Sequence, residues 1–283
     1  MKESISFNSM DGTLLEGVFE KNKGDIKAGF LLLHGCPSYK EEFGFYGGNP
    51  NAFMLDGGMA EFLSARNVAS LRFNYRDQGE GIKAEQMQDL TISGMISDTE
   101  AAYRLLRNKI GGSVPVYIVA TSFAGGLAIR WLNIYNPSVK KLFLMCPLID
   151  TSYTIRKCNL LESVHGLEQL KKEFALELKE KGYFISNGKK VNKAFLNEAL
   201  QSDMIHEIKR LAIETIVYHG TIDDFVPYEK TIELMPYFKK GILITLEDAR
   251  HGFGGPKDEN GKHDINIKHR NQQFIFDDMW RRL

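Results

Sequence analysis

The stretch VYIVATSFAGGLAIRW, residues 116–131, changes character in its middle. Its first six residues are continuously apolar up to Thr121, as a strand covered on both faces should be. After Ser122 come small residues, and then a helical pattern over Leu127-Ala128-Ile129-Arg130-Trp131. A serine in a tight strand-to-helix turn needs small residues two before and two after it, because the turn presses those side chains on neighbouring backbone. Ala120 and Ala124 meet that need. A serine that merely caps a helix would look much the same. The rest of the chain must decide between the two.

Outward from this segment, apolar runs bounded by turn residues alternate with longer helical patterns, the signature of a mostly parallel sheet with crossover helices. Strands are expected over residues 3–8 and 14–19, joined through Asp11-Gly12 as a hairpin, and then over 28–34, 68–74, 116–121, 142–146, 214–219 and 242–246. Between them, Met95, Thr99, Ala102 and Leu106 recur at spacings of three and four, one face of a helix over 92–107. A last helix is expected over 264–283. The interval 151–211 carries the stripe Leu167, Leu170, Phe174 and Leu178, followed by Val191, Phe195 and Leu196. It reads as a helical cap inserted between strands, with 1–150 and 212–283 forming the core domain.

Three other strand ends carry chemistry-bearing residues. Leu33-His34-Gly35-Cys36-Pro37 follows an early strand, where Cys36 can offer a backbone N–H and Pro37 cannot. The second such donor would be Phe123, the residue after the serine. His34 itself reads as structural. His219-Gly220-Thr221-Ile222-Asp223-Asp224-Phe225-Val226-Pro227 follows a later strand. Two carboxylates compete there; Asp223 fits G-x-x-D-x-x-V-P and Asp224 does not. His219 is most simply a strand-terminal, hydrogen-bonding histidine. Of the seven histidines, His251 in Ala249-Arg250-His251-Gly252-Phe253 occupies the loop after the last strand, where it can approach both a serine and an acid.

The order Ser122, Asp223, His251, each after a parallel strand, resembles the α/β-hydrolase superfamily, in particular its single-domain, lidded serine esterases and thioesterases. Ser122 and Asp223 are 101 residues apart and Asp223 and His251 are 28 apart, which leaves room for a cap before the acid. The departure is the elbow Ala120-Thr121-Ser122-Phe123-Ala124, with alanine at both positions where the family has glycine. The loop Asn74-Tyr75-Arg76-Asp77-Gln78-Gly79 also looks like the family's, where it is scaffold. The resemblance implies an eight-stranded α/β-hydrolase fold, an acyl-enzyme on Ser122, His251 as base, Asp223 as its orienting acid, and an oxyanion hole from the N–H groups of Cys36 and Phe123. Open alternatives are an acyltransferase or thioesterase of a biosynthetic pathway, and a non-catalytic binding protein on the same fold.

Phe43, Phe45, Tyr46 and Phe53 fall on the long segment after the oxyanion loop and are candidate contacts to a small-molecule ester or thioester; anchoring the loop is the alternative. Cys36, Cys146 and Cys158 form no C-x-x-C pair, which argues against a disulfide framework and a thiolate zinc site. No metal or cofactor is expected. The 36 basic and 36 acidic side chains cancel, so the chain offers no bulk field for nucleic acid or an anionic membrane. The N-terminus lacks a signal-peptide core, and no run approaches the ~20 apolar residues of a membrane span. A cytoplasmic protein is expected; the oligomeric state, a homodimer included, is left open.

Overall fold

The structure, a computed structural model, describes residues 1–36, 38–43, 58–80, 90–153, 160–164, 167–186, 189–201, 203–259, 261 and 264–283. Eight strands form the main sheet: β1 (Lys2–Asn8), β2 (Leu14–Glu20), β3 (Ala28–Leu33), β4 (Val68–Phe73), β5 (Val116–Thr121), β6 (Lys141–Met145), β11 (Glu214–Gly220) and β12 (Gly241–Leu246). Their spatial order is β1-β2-β4-β3-β5-β6-β11-β12. Pairing is antiparallel at β1–β2 and β2–β4 and parallel throughout the rest. All eight expected strands are present, their ends moved by a residue or so.

Parallel strands covered on both faces explain the unbroken apolar runs. In β3, Leu31 and Leu33 point into one core cluster, with helix α2 (Ile92–Ile110) and helix α3 (Ala124–Tyr135). Phe30 and Leu32 point into the other, with Met59 and Leu63 of helix α1 (Met59–Ser64) and the C-terminal helix (Ile265–Arg281). The expected face of α2 is buried at Met95, Thr99, Ala102 and Leu106. Thr91 caps that helix by accepting from Gly94 N–H.

The loop after β4 is a scaffold of buried charge. Arg76 pairs with Asp98 on α2 at 2.7 Å and reaches Asp11 in the β1–β2 turn, also at 2.7 Å. Asp98 further accepts from Ser9 Oγ and from Arg76 N–H. One turn, one loop and one helix are thereby tied together.

Between β6 and β11 the chain departs from the expectation of helices alone. Two short antiparallel hairpins occur, β7 (Leu161–Val164) with β8 (Leu167–Leu170) and β9 (Tyr183–Ser186) with β10 (Lys189–Asn192). Helices α4 (Lys172–Lys181), α5 (Lys193–Leu200) and α6 (Met204–Arg210) accompany them. The stripe splits physically: Leu167 and Leu170 belong to a strand, whereas Phe174 and Leu178 lie on α4 and pack against the main core. Spacings of three and four cannot distinguish one long helix from a hairpin followed by a helix. Among the described residues, no helix is long and apolar enough to cross a membrane.

Candidate active site

Register places the site. Leu33 lies beside Ala120, Thr121 beside Met145, Met145 beside Tyr218, and Gly220 beside Leu246. The residues that follow these strands therefore emerge at one edge of the sheet, where ligands of open α/β sheets bind.

Ser122 occupies the left-handed region, with φ +48. That conformation is uncommon for a non-glycine residue and is characteristic of a constrained turn. Three backbone hydrogen bonds hold it. Its N–H donates to Met145 O at 2.9 Å, and its carbonyl accepts from Gly125 N–H at 3.0 Å and Leu148 N–H at 2.8 Å. Alanine replaces glycine at 120 and 124, yet both side chains are fully buried in the core cluster beside the turn. The expected elbow thus forms with alanines at its small positions.

Ser122 Oγ lies 3.1 Å from His251 Nε2, and His251 Nδ1 lies 2.7 Å from Asp223 Oδ2. Asp223 Oδ1 accepts from the backbone N–H groups of Phe225 and Val226, each at 2.8 Å. Burial alone would raise the Asp223 pKa, but hydrogen bonds and charge from His219 and His251 outweigh it and hold the carboxyl well below the usual range. Asp224 instead points to Arg250, with which it forms an ion pair. The three side chains singled out in the sequence are brought into one hydrogen-bonded line.

The oxyanion-loop expectation concerns Cys36 and Phe123. Gly35 abuts the serine: a Cβ at position 35 would fall 3.0 Å from Ser122 Cβ. Cys36, half-buried, is the next residue. Phe123 opens α3, where helix N–H groups lack intrahelical acceptors. Its buried ring stacks on Phe195 of α5 with centroids 5.9 Å apart, so that helix packs directly on the elbow.

His34 is wholly buried, as a structural histidine. Its Nδ1–H donates to Gly35 O at 2.7 Å, and Nε2 faces Tyr75 N–H at 3.4 Å. Burial pushes its pKa down to about 4. Phe43 is likewise fully buried, packed in the core cluster with Phe30, Leu32 and Met59. That packing fits the alternative reading of Phe43, as an anchor of the segment. Phe45, Tyr46, Phe53 and Cys158 lie outside the described residues.

Several residues near the site carried no sequence signal. Glu42 is 1% exposed and accepts from Ser38 Oγ at 2.6 Å in the segment after β3; burial raises its pKa against the hydrogen bonds from Ser38, Thr121 and Gly35. Cys146, also at positive φ, places its thiol within 4.8 Å of the Asp223 and His251 polar atoms, and burial pushes the thiol pKa up. Phe225, 54% exposed, sets its ring 5.4 Å from that of His251. None stands in a spacing pattern, because each reaches the site through the fold. A cavity of about 230 Å³ lies beside the acid loop, lined by Leu148, Ile149, Tyr153, Val226 and Leu234 among others.

The sheet order, the elbow after β5 and the strand-end positions of serine, acid and histidine define the α/β-hydrolase fold. Solved structures agree. Over 96% of this chain and 98% of the other, it is similar to Est1E from Butyrivibrio proteoclasticus with ferulic acid bound, at a TM-score of 0.69 and 15% identity. It is similar to mouse alpha/beta hydrolase domain-containing protein 10 over 98% of this chain and 99% of the other, at 0.62 and 16%. It also matches a thermophilic esterase from Thermogutta terrifontis with malate bound, over 99% and 98%, at 0.60 and 16%. No protein-family model and no curated protein sequence matches the chain.

Proposed function

We propose that the protein is a serine hydrolase that cleaves a carboxylic ester or thioester through an acyl-enzyme on Ser122. The observation that carries this reading is the unbroken line from Ser122 Oγ through His251 to Asp223, with contacts of 3.1 and 2.7 Å. In this reading His251 Nε2 takes the hydroxyl proton as Oγ attacks the carbonyl carbon. Asp223 fixes the tautomer that leaves Nε2 free to accept and stabilises the imidazolium that forms. The developing oxyanion is met by the N–H groups of Cys36 and Phe123. His251 then returns the proton to the leaving oxygen or sulfur, and the same imidazole activates water to release the acid.

The substrate side draws on more general support. The names of the structural neighbours include an esterase, and one neighbour holds an aromatic acid. Phe225 beside His251 and the insert packed on Phe123 supply apolar walls suited to an uncharged ester. We assign residues 151–211 the role of cover over the strand ends.

Activity-based labelling tests the assignment. Wild-type protein should take up a fluorophosphonate probe, and Ser122→Ala should not while keeping its fold by circular dichroism. Label persisting in that variant, or wild-type protein inert to both the probe and p-nitrophenyl esters, rejects the reading and favours a binding protein. A graded series of p-nitrophenyl esters against acyl-thioesters then separates esterase from thioesterase.

A further inference from the structure

We propose that His219 is a positioning residue for the acid of the triad: it donates a second imidazole N–H to Asp223 Oδ2, the atom that also receives His251. The proposal rests on the hydrolase reading above. His219 is the penultimate residue of β11 and is fully buried. Its Nε2 lies 3.1 Å from Asp223 Oδ2 and 2.9 Å from Val226 O. An ionised carboxylate and a carbonyl can only accept, so Nε2 must carry the proton. Nδ1 lies 2.8 Å from Thr231 Oγ1, a hydroxyl that can donate. One consistent direction follows: Thr231 donates to Nδ1, and Nε2–H donates forward to Asp223 and Val226.

Asp223 is thereby gripped by two pairs of donors. Phe225 and Val226 N–H hold Oδ1, and the two imidazoles hold Oδ2. Four donors define the carboxylate plane, and with it the direction in which His251 Nδ1 must point. The second imidazole also spreads the negative charge on Oδ2, which moderates how strongly that oxygen stabilises a charged His251.

Other groups face this centre. The Cys146 thiol is a weak donor to the same carboxylate and is kept neutral by burial. Tyr153, whose pKa burial raises, feels Asp223 and Lys230. Arg250 is paired to Asp224, and the Tyr228 ring lies edge-on to His219 at 5.7 Å. A neutral thiol is a poorer donor than an imidazole N–H, so His219 is the stronger second hold on Oδ2.

The test compares wild type, His219→Leu and His219→Gln on p-nitrophenyl acetate across pH, since the Gln amide can present an N–H where Nε2 stood. Leu should lower kcat about tenfold with KM within about twofold, and move the acidic limb of kcat/KM up by about half a pH unit. Gln should recover most of kcat and return the limb towards its wild-type position. A Leu profile that coincides with wild type, or a Gln variant no better than a folded Leu variant, overturns the proposal. Should Leu fail to fold, long-range nitrogen–proton correlation spectra of the histidine-labelled wild type decide: His219 must be the Nε2–H tautomer, and an Nδ1–H tautomer overturns the proposal. Failure of the hydrolase reading shows separately, as wild-type protein that neither turns over ester nor takes the probe.

Discussion

Gly35 lies so close to Ser122 that a Cβ on residue 35 would come within 3.0 Å of the serine Cβ and 3.6 Å of its Oγ. The loop after β3 and the turn at Ser122 are therefore packed to contact, and there is no slack for a methyl group unless one of them yields. Gly35→Ala should shift Ser122 by a few tenths of an ångström and cut kcat/KM by about tenfold or more. Protein unfolding at nearly its normal temperature would show that the loss is geometric. Unchanged turnover of p-nitrophenyl acetate would contradict the close packing.

Asp223→Asn is expected to be worse than a neutral isostere usually is. Both carboxylate oxygens receive two N–H donors, so the amide nitrogen of asparagine must face donors whichever way it turns. Facing donor against donor in a buried site should cost about 1–3 kcal/mol of stability. Loss of the correct His251 tautomer should lower kcat by about 10⁴-fold. Urea denaturation and single-substrate kinetics on the same preparation check the two parts.

His34 should give the fold an acid-sensitive component. Its folded pKa is depressed from 6.5 to about 4, by burial first. Between those values the unfolded chain binds a proton here that the folded chain does not, so stability falls as pH falls through this window. The full span corresponds to about 3 kcal/mol. His34→Asn keeps a donor for Gly35 O but cannot titrate. Urea unfolding from pH 7 to pH 4 should show a shallower decline in that variant, and parallel curves would refute the assignment.

The Arg76–Asp98 pair should matter through what is left behind when one partner goes. Their side chains are 7% and 0% exposed. Asp98→Ala strands a guanidinium whose remaining charged partner, Asp11, is half exposed and whose other contact is the neutral Ser9 hydroxyl, and should cost about 3–5 kcal/mol by chemical denaturation. The paired replacement Arg76→Met with Asp98→Leu should recover a large part of that loss. A single variant as stable as wild type would show that the buried pair contributes little.

The sequence by itself determined the sheet, the elbow and the three strand-end residues. Burial on both faces forces continuous apolar runs, and a strained strand-to-helix turn forces small residues around Ser122, so both leave marks in local composition. It also favoured Asp223 over Asp224, and the structure turns Asp224 away to Arg250. Only the tertiary structure decided the rest. Phe43 became core because Met59 and β3 close over it, and Leu167 and Leu170 became strand because β7 pairs with β8. Four-residue strands are too short for alternation to outweigh an accidental helical spacing. Glu42, Cys146 and His219 gained their places through the fold: Glu42 meets Thr121, 79 positions on in the chain, Cys146 meets Asp223 and His251, 77 and 105 positions on, and His219 meets Thr231, 12 positions on. Periodicity records which face of an element is covered; which polar atoms then meet is set by the strand order and register that bring distant loops to one edge.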